Sequence, residues 1–287
     1  MTAGTMGPTA VLKFGGEVVT DRPQLLRVLE VVADLTDRGW RFVLCHGGGP
    51  QLSALARRLG TEPIMVGGRR VTDLATLQIA KQVLSGEVNV DVVAAALAAG
   101  LEAVGISGVS ARTVYARRRP PKVVSGGGPD PVDFGWVGEV IEIRTQLIHH
   151  LWAGGYTPVL STLGVGDLDG DVKSPIYNIN ADTVASAVAE ALNADHLFLM
   201  TGVPGVLRDK SNPSTRIPRL DAAAAHRAIA DEVIVGGMIP KVEEALGPLR
   251  HTPGGPGVGA VHILGADGDA LRGEAALPGS RGTVLVP

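Results

Sequence analysis

The chain has 287 residues, 45% hydrophobic and 19% charged, which suffices for a large core and excludes a disordered protein. Lys plus Arg number 26 against 29 for Asp plus Glu, and aromatics are 3%, so neither a nucleic-acid backbone nor a single strand is an expected partner. The single cysteine, Cys45, excludes an internal disulfide framework or a multi-cysteine metal cluster.

Ala10 to Phe14 is a short apolar run ending in Gly15-Gly16, and it reads as a first strand. Leu25, Val28, Leu29, Val32 and Leu35 then repeat at helical spacing up to Gly39. Arg41 to Cys45 is the next strand, closed by His46-Gly47-Gly48-Gly49-Pro50, and a helix is expected from Pro50 to Leu59. Thr72 is a candidate N-cap for an Ala-rich helical stretch running to Gly100, with a break expected near Ser85-Gly86. Glu102 to Ile106 follows as a strand. Arg112 to Val124 and Trp136 to Ile143 read as a β ribbon around the loop 125–131. The βα pattern resumes with a helix up to Gly154, strand Thr157 to Ser161, helix Ala181 to Leu192 and strand Asp195 to Met200. Val261 to Leu264 and Thr283 to Val286 are late strands, with a loop from 253 to 259 before them. This alternation predicts an α/β fold with a mainly parallel sheet, in two lobes that share the sheet and meet around residues 161–181.

The familiar nucleotide signatures are missing. No G-x-x-x-x-G-K-[ST] occurs, and Gly255-Pro256-Gly257 leads into a strand instead of a helix. Asp167, Asp169 and Asp171 begin like a calcium loop, but Gly170 and Asn178 stand at the wrong positions, so an acidic turn is expected. No H-E-x-x-H pair exists, and His149-His150 reads as a surface pair. The first ten residues lack a basic segment followed by an apolar run, and the apolar stretch Val92 to Leu101 is too short to span a bilayer. A cytoplasmic protein with no membrane partner is expected.

Three glycine clusters stand beside polar residues. Lys13-Phe14-Gly15-Gly16 ends the first strand, His46 to Pro50 ends the second, and Gly236-Gly237-Met238-Ile239-Pro240-Lys241 precedes a helix. Successive glycines admit backbone N–H groups close to phosphate oxygens, and any one cluster also serves as a tight turn. Asn178-Ile179-Asn180-Ala181-Asp182-Thr183 opens an apolar helix, with Asn180 as its expected N-cap and Asp182 in its first turn, worth about 1 kcal/mol. Arg69 and Arg70 put two guanidinium groups before another helix, suited to gripping a carboxylate.

Taken in order, KFGG at Lys13, HGGGPQ at His46, RVTD at Arg70, WVGEV at Trp136, NINADT at Asn178, VPGV at Val203, GGMIPKV at Gly236 and GTVLV at Gly282 resemble the amino acid kinase family, most closely its N-acetylglutamate kinases. The resemblance covers residues 10–286. It implies a three-layer αβα sandwich around a mainly parallel sheet of about eight strands. It further implies a tail over 1–9, an N-lobe over 10–170 that binds the acyl amino acid and carries a dimer contact, and a C-lobe over 171–287 that binds ATP. The implied reaction moves the γ-phosphoryl of ATP to the side-chain carboxylate of N-acetyl-L-glutamate.

Residue by residue, the resemblance makes Lys13 and Lys241 the phosphate-stabilising lysines and Asp182 the carboxylate that orients them. Gly15, Gly16, Gly48 and Gly49 would offer backbone N–H groups. Arg70, Asn178 and Asn180 would hold the acceptor, while Gly202, Val203, Pro204, Gly205, Val206, Gly236, Gly237, Met238 and Lys241 would line the nucleotide. Magnesium would ride on the ATP phosphates without protein ligands.

The chain departs from the family pattern at Gly202, where Asp is usual, at Ser107-Gly108, which lacks the following Asp, and in the basic run Arg117 to Arg119. That run keeps open a kinase acting on carrier-linked aminoadipate or glutamate, and Gly202 keeps open a non-catalytic sensor. Arginine-inhibited relatives build hexamers through an N-terminal helix. Residues before Ala10 include Gly4, Gly7 and Pro8, too few and too poor as helix formers, so a homodimer is expected. The apolar face Leu74, Leu77, Ile79 and Val83 is expected to need cover.

Overall fold

A computed structural model describes residues 7–124, 127–170, 172–235, 238–250 and 255–287. The chain opens with β1 (Thr9–Phe14), α1 (Gly16–Thr20), α2 (Arg22–Asp37), β2 (Arg41–His46) and α3 (Gly49–Arg58). A small hairpin, β3 (Met65–Val66) and β4 (Arg69–Arg70), leads into α4 (Leu74–Gln82), a π-helical turn (Val83–Val88) and α5 (Asn89–Ala98). Then come β5 (Ala103–Ser107), β6 (Val114–Arg118), β7 (Gly138–Ile143), α6 (Gln146–Ala153) and β8 (Thr157–Ser161). Short strands β9 (Leu163–Val165), β10 (Leu168–Asp169), β11 (Val172–Lys173) and β12 (Ile176–Asn178) precede α7 (Ala181–Ala191) and β13 (His196–Thr201). The rest is β14 (Arg219–Asp221), α8 (Ala222–Ala230), α9 (Met238–Leu246), β15 (Ala260–Gly265), α10 (Gly268–Ala276) and β16 (Thr283–Val286).

Eight strands form one sheet in the order β14-β16-β15-β13-β1-β2-β8-β5. Every pairing is parallel except β15 with β16. β1 has β2 on one side and β13 on the other, so the strand order reverses at its edge. Crevices for ligands form at the carboxyl ends of strands flanking such a switch point. A second sheet, β12-β9-β6-β7, carries the ribbon expected around residues 112–143, with a bulge between Tyr115 and Ala116.

The period of two along β1 divides its side chains between two cores. Ala10, Leu12 and Phe14 pack with Leu25, Val28 and Leu29 of α2, whereas Val11 packs with Val184, Ala185 and Val188 of α7. The same alternation sends Lys13 to the α7 side. Helix α2 forms because Asp21 caps it by accepting from the Gln24 N–H at 3.0 Å, and it buries the apolar stripe foreseen from its spacing. Gly39, at φ +90°, lets the chain turn back into β2. Among the described residues no helix is long and apolar enough to cross a membrane.

Three sequence expectations change. Asp73, not Thr72, caps α4, accepting from the Thr76 N–H at 2.7 Å. Thr72 is buried in a bridge to Gly135. The break near Ser85-Gly86 is a widened π turn, and the helical path continues through it. Of the tail expected over 1–9, Thr9 already belongs to β1, with its N–H on Asp195 at 2.8 Å; residues 1–6 lie outside the described set.

Candidate active site

Lys13, near the end of β1, points at the first turn of α7. That turn is fixed by Asn180, whose Oδ1 accepts from the N–H groups of Asp182 at 2.7 Å and Thr183 at 3.3 Å. Asp182 then stands between two ammonium groups: Lys13 Nζ lies 2.7 Å from one carboxylate oxygen and Lys241 Nζ 3.7 Å from the other. Lys13 and Asp182 are nearly buried, at 10% and 17% side-chain exposure, while Lys241 on α9 is 39% exposed. Burial alone would raise the Asp182 carboxyl, but the two lysines outweigh it and hold it below the usual carboxylate range. Asp182 is therefore an ionised counterion with both oxygens engaged, a poor general base.

The glycine turns after β1 and β2 meet beside this triad. A Cβ on Gly16 would sit 2.9 Å from the Cα of Gly48, and one on Gly48 would sit 2.6 Å from Leu84 Cδ2. The turns need glycine because they lie back to back under the π turn. Gln51 fastens them: its Nε2 donates to the Gly16 carbonyl at 2.7 Å and to Thr20 Oγ1 at 3.0 Å. His46, fully buried, anchors the second turn from below, with Nδ1 3.0 Å from the Gly47 carbonyl. Asn89 Nδ2 bridges His46 Nε2 and the Val159 carbonyl, both at 3.0 Å. The carbonyl partner fixes that Asn89 atom as the donating amide nitrogen, so His46 Nε2 accepts and Nδ1 carries the proton. Burial, opposed by the Gly47 carbonyl, lowers the His46 pKa to about 4.

Above the turns lies a cleft of about 1140 Å³ lined by Lys13, Gly15, Gly16, Gly48, Gly49, Arg70, Asn178, Asn180 and Asp182. Arg70 Nη2 donates to the Gly49 carbonyl at 3.2 Å and Ser53 Oγ at 2.7 Å, while its buried Nη1 has no partner among the described residues. Asn178 Nδ2 donates to Thr72 Oγ1 at 3.3 Å. The arrangement can hold a carboxylate at Arg70 and an anion between the glycine turns and the lysines.

The segment 202–206 does not line this cleft. Gly202 and Val203 are exposed, Pro204 is half-buried, and Gly205 and Val206 are buried, with the Val206 N–H on Thr283 Oγ1 at 2.9 Å. Nothing lies within 4 Å of a Cβ placed on Gly202, so the missing Asp there is not a steric matter. Met238 begins α9; Gly236 and Gly237 lie outside the described residues. The basic run is paired: Arg117 with Glu139 at 3.2 Å, Arg118 with Asp133 at 3.3 Å, and Arg119 over the Phe134 ring at 5.4 Å. Of the suspected acidic turn, Asp167 meets Tyr115 and Arg112, Asp169 meets Tyr177, and Asp171 is outside the described residues. Sequence reasoning missed Gln51 and Asn89. Gln51 adjoins the glycine run and could have been read with it, but Asn89 carries no local signal.

The amino acid kinase family model matches residues 8–264. An acetylglutamate kinase of Anaeromyxobacter dehalogenans is 49% identical over 283 residues, covering 97% of this chain and 98% of its own. One from Methanocaldococcus jannaschii is 40% identical over 259 residues, covering 90% and 83%. Among solved structures, smu.665 from Streptococcus mutans superposes with TM-score 0.73 at 26% identity, covering 97% and 98%. Giardia lamblia carbamate kinase bound to AMP-PNP shares the fold, with TM-score 0.68 at 18% identity, covering 100% and 99%. With the lysine–aspartate–lysine bridge set beside two glycine turns at the sheet's switch point, and a family match over most of its length, this chain belongs to the amino acid kinase family.

Proposed function

We propose that the protein is an acetylglutamate kinase of arginine biosynthesis: it transfers the γ-phosphoryl group of ATP to the side-chain carboxylate of N-acetyl-L-glutamate, giving N-acetyl-glutamyl 5-phosphate. The observation that carries this reading is Asp182 bridging Lys13 and Lys241 beside the glycine turns. The acceptor carboxylate is ionised at neutral pH, so no base is required. Catalysis reduces to alignment and to neutralising charge on the transferring and leaving oxygens. Lys13 and Lys241 supply that charge, and the N–H groups of Gly15, Gly16, Gly48 and Gly49 cradle the transferring group. Arg70, Asn178 and Asn180, which line the cleft, orient the acceptor.

ATP binds on the side of α9, residues 10–170 forming the acceptor lobe and 171–287 the nucleotide lobe, with the exposed Gly202 and Val203 and the α9 residues Met238 and Lys241 towards the nucleotide. Both Asp182 oxygens are occupied by lysines, so this carboxylate would not ligate magnesium, which would be held by the triphosphate and would neutralise part of its charge. The paired state of Arg117 and Arg118 favours a free small acceptor over an acidic carrier protein.

The expected assembly is a homodimer. Leu77, Ile79 and Val83 are buried in the chain's own core, and the uncovered apolar residues of this helical stretch are Leu74, Val90 and Leu97. Light scattering should give about twice 29.6 kDa; a monomer or a hexamer refutes this assembly. The function is tested with purified protein, ATP, magnesium and N-acetylglutamate. Hydroxylamine should trap the acyl phosphate, and no trapped product at saturating substrates refutes the assignment.

A further inference from the structure

An ion pair crosses the cleft that the reaction above does not use. Arg69 Nη2 lies 3.6 Å from Glu244 Oε1, and both residues line the cleft. Arg69 sits on β4 beside Arg70, in a hairpin whose strands hold two residues each. So short a hairpin has little stability of its own and takes its position from what it touches. One tether is Arg70 on the Gly49 carbonyl and Ser53. The other is Arg69 on Glu244, across the cleft. Glu244 is three residues beyond Lys241 on α9, so the two share a helix face. The cations facing Glu244 are Arg69, Lys241 and Arg119, with Asp182 as the opposing carboxylate. The Lys241–Asp182 contact, at 3.7 Å, holds α9 from one side only, and Glu244 gives the same helix a second hold across the cleft.

We propose that Arg69 and Glu244 form a cross-cleft latch whose closure sets the position of Lys241 on α9 against the acceptor-holding Arg70. Both are positioning residues, and their effect on turnover rests on the phosphoryl-transfer reading. Arg69 and Glu244 are 33% and 40% exposed, so the pair adds little to folding stability. Its leverage is geometric, because misplacing a charged group by about 1 Å can cost on the order of a hundredfold in rate.

The test is a cycle of Arg69→Gln, Glu244→Gln, the double variant, and the charge swap R69E/E244R, assayed with ATP and N-acetylglutamate. Each single change should lower kcat by roughly three- to tenfold, and the double should be no worse than either single. The swap should recover to within about threefold of wild type, with the melting temperature unchanged across all four variants, which a merely structural role would not give. Salt near 1 M, where screening acts within about 3 Å, should slow the wild type by a larger factor than the Glu244→Gln variant, which has already lost the pair. Losses that multiply in the double, or a swap as slow as the worse single, overturn the latch. Should the wild type itself fail to turn over, the functional reading fails separately. The latch is then decided by amide exchange in residues 238–246, which both single changes should speed and the swap restore. Unchanged exchange overturns it.

Discussion

Acidification should unfold this protein by a route that two histidines define, the buried His46 and the half-buried His196. His46 and His196 both have their pKa values lowered to about 4 from 6.5. For His46 the cause is burial, and protonating Nε2 would set it against the Asn89 amide. For His196 burial acts first and His262 second, within a stack against Trp40 and Phe198. Both rings are harder to protonate folded than unfolded. Between pH 6.5 and 4 the unfolded chain therefore binds up to two more protons, and stability falls as pH falls.

At pH 5 each histidine contributes about 0.9 proton of difference, a combined slope of roughly 2.4 kcal/mol per pH unit. Integrated from pH 7.5 to 4.5 the loss is about 5 kcal/mol, comparable to the whole stability of many domains. Glu244, raised by burial and by Asp182, takes up a proton in the folded state and offsets part of the slope near its own pKa. Below pH 4.5 Glu274 adds a further loss. Burial raises its carboxyl, but His262 and the N–H groups of Gly279, Gly282 and Arg281 hold it at about 2. Urea unfolding followed by tryptophan fluorescence at several pH values reads the slope. His46→Gln, which can still accept from Asn89, should reduce it from about two protons to about one. An unfolding free energy that stays flat between pH 6.5 and 5 refutes the reasoning.

Lys13→Ala and Lys241→Ala should each lower kcat by about a hundredfold or more, with Lys241→Ala melting like wild type because that side chain is 39% exposed; near-normal turnover by either would sink the phosphate site. Gly48→Ala should cost about 1–3 kcal/mol in chemical unfolding and raise KM for the acceptor, since its Cβ meets Leu84 at 2.6 Å and pushes the turn off Gly16. Gly202→Asp should change stability by less than about 0.5 kcal/mol, because the site is open; a large loss of folding would show that the backbone there needs glycine.

Local chemistry made much of the site legible. The alternation in β1 sends Lys13 away from the α2 core, and the Asn180 cap aims Asp182 back at it, and both follow from periods and capping rules. Thr72 and Asp73 show where such rules run out. Both residue types cap helices, and only the bridge from Thr72 to Gly135, formed by a distant segment, leaves Asp73 to do it. Ser85-Gly86 reads as a helix break, yet Ser85 Oγ meets Ser161 Oγ at 2.8 Å and Asn89 reaches Val159, so contacts to β8 hold the widened turn in register. Helices α8 and α10 and strands β9 to β12 escaped the reading because they are short or Ala- and Gly-rich, with weak periodicity. Arg69 with Glu244 has no sequence signal, since the two approach only once the sheet is assembled.

Asp182 and Glu244 share one logic. A kinase acting on a carboxylate must gather cations without letting them repel one another or collapse onto the acceptor early. Lys13 and Lys241 would repel at close range, and Asp182 offsets that by taking one on each oxygen. Arg69 stands beside Arg70, and Glu244 draws it across the cleft, away from its neighbour's guanidinium. Asp182 and Glu244 thus each assign their cations a place, and neither is needed for proton transfer. If Asp182 acted as a base instead, Asp182→Asn would abolish turnover at neutral pH and a higher pH would rescue it. As a counterion its loss should scatter the lysines, lowering kcat and weakening ATP binding together, with a pH profile parallel to that of the wild type.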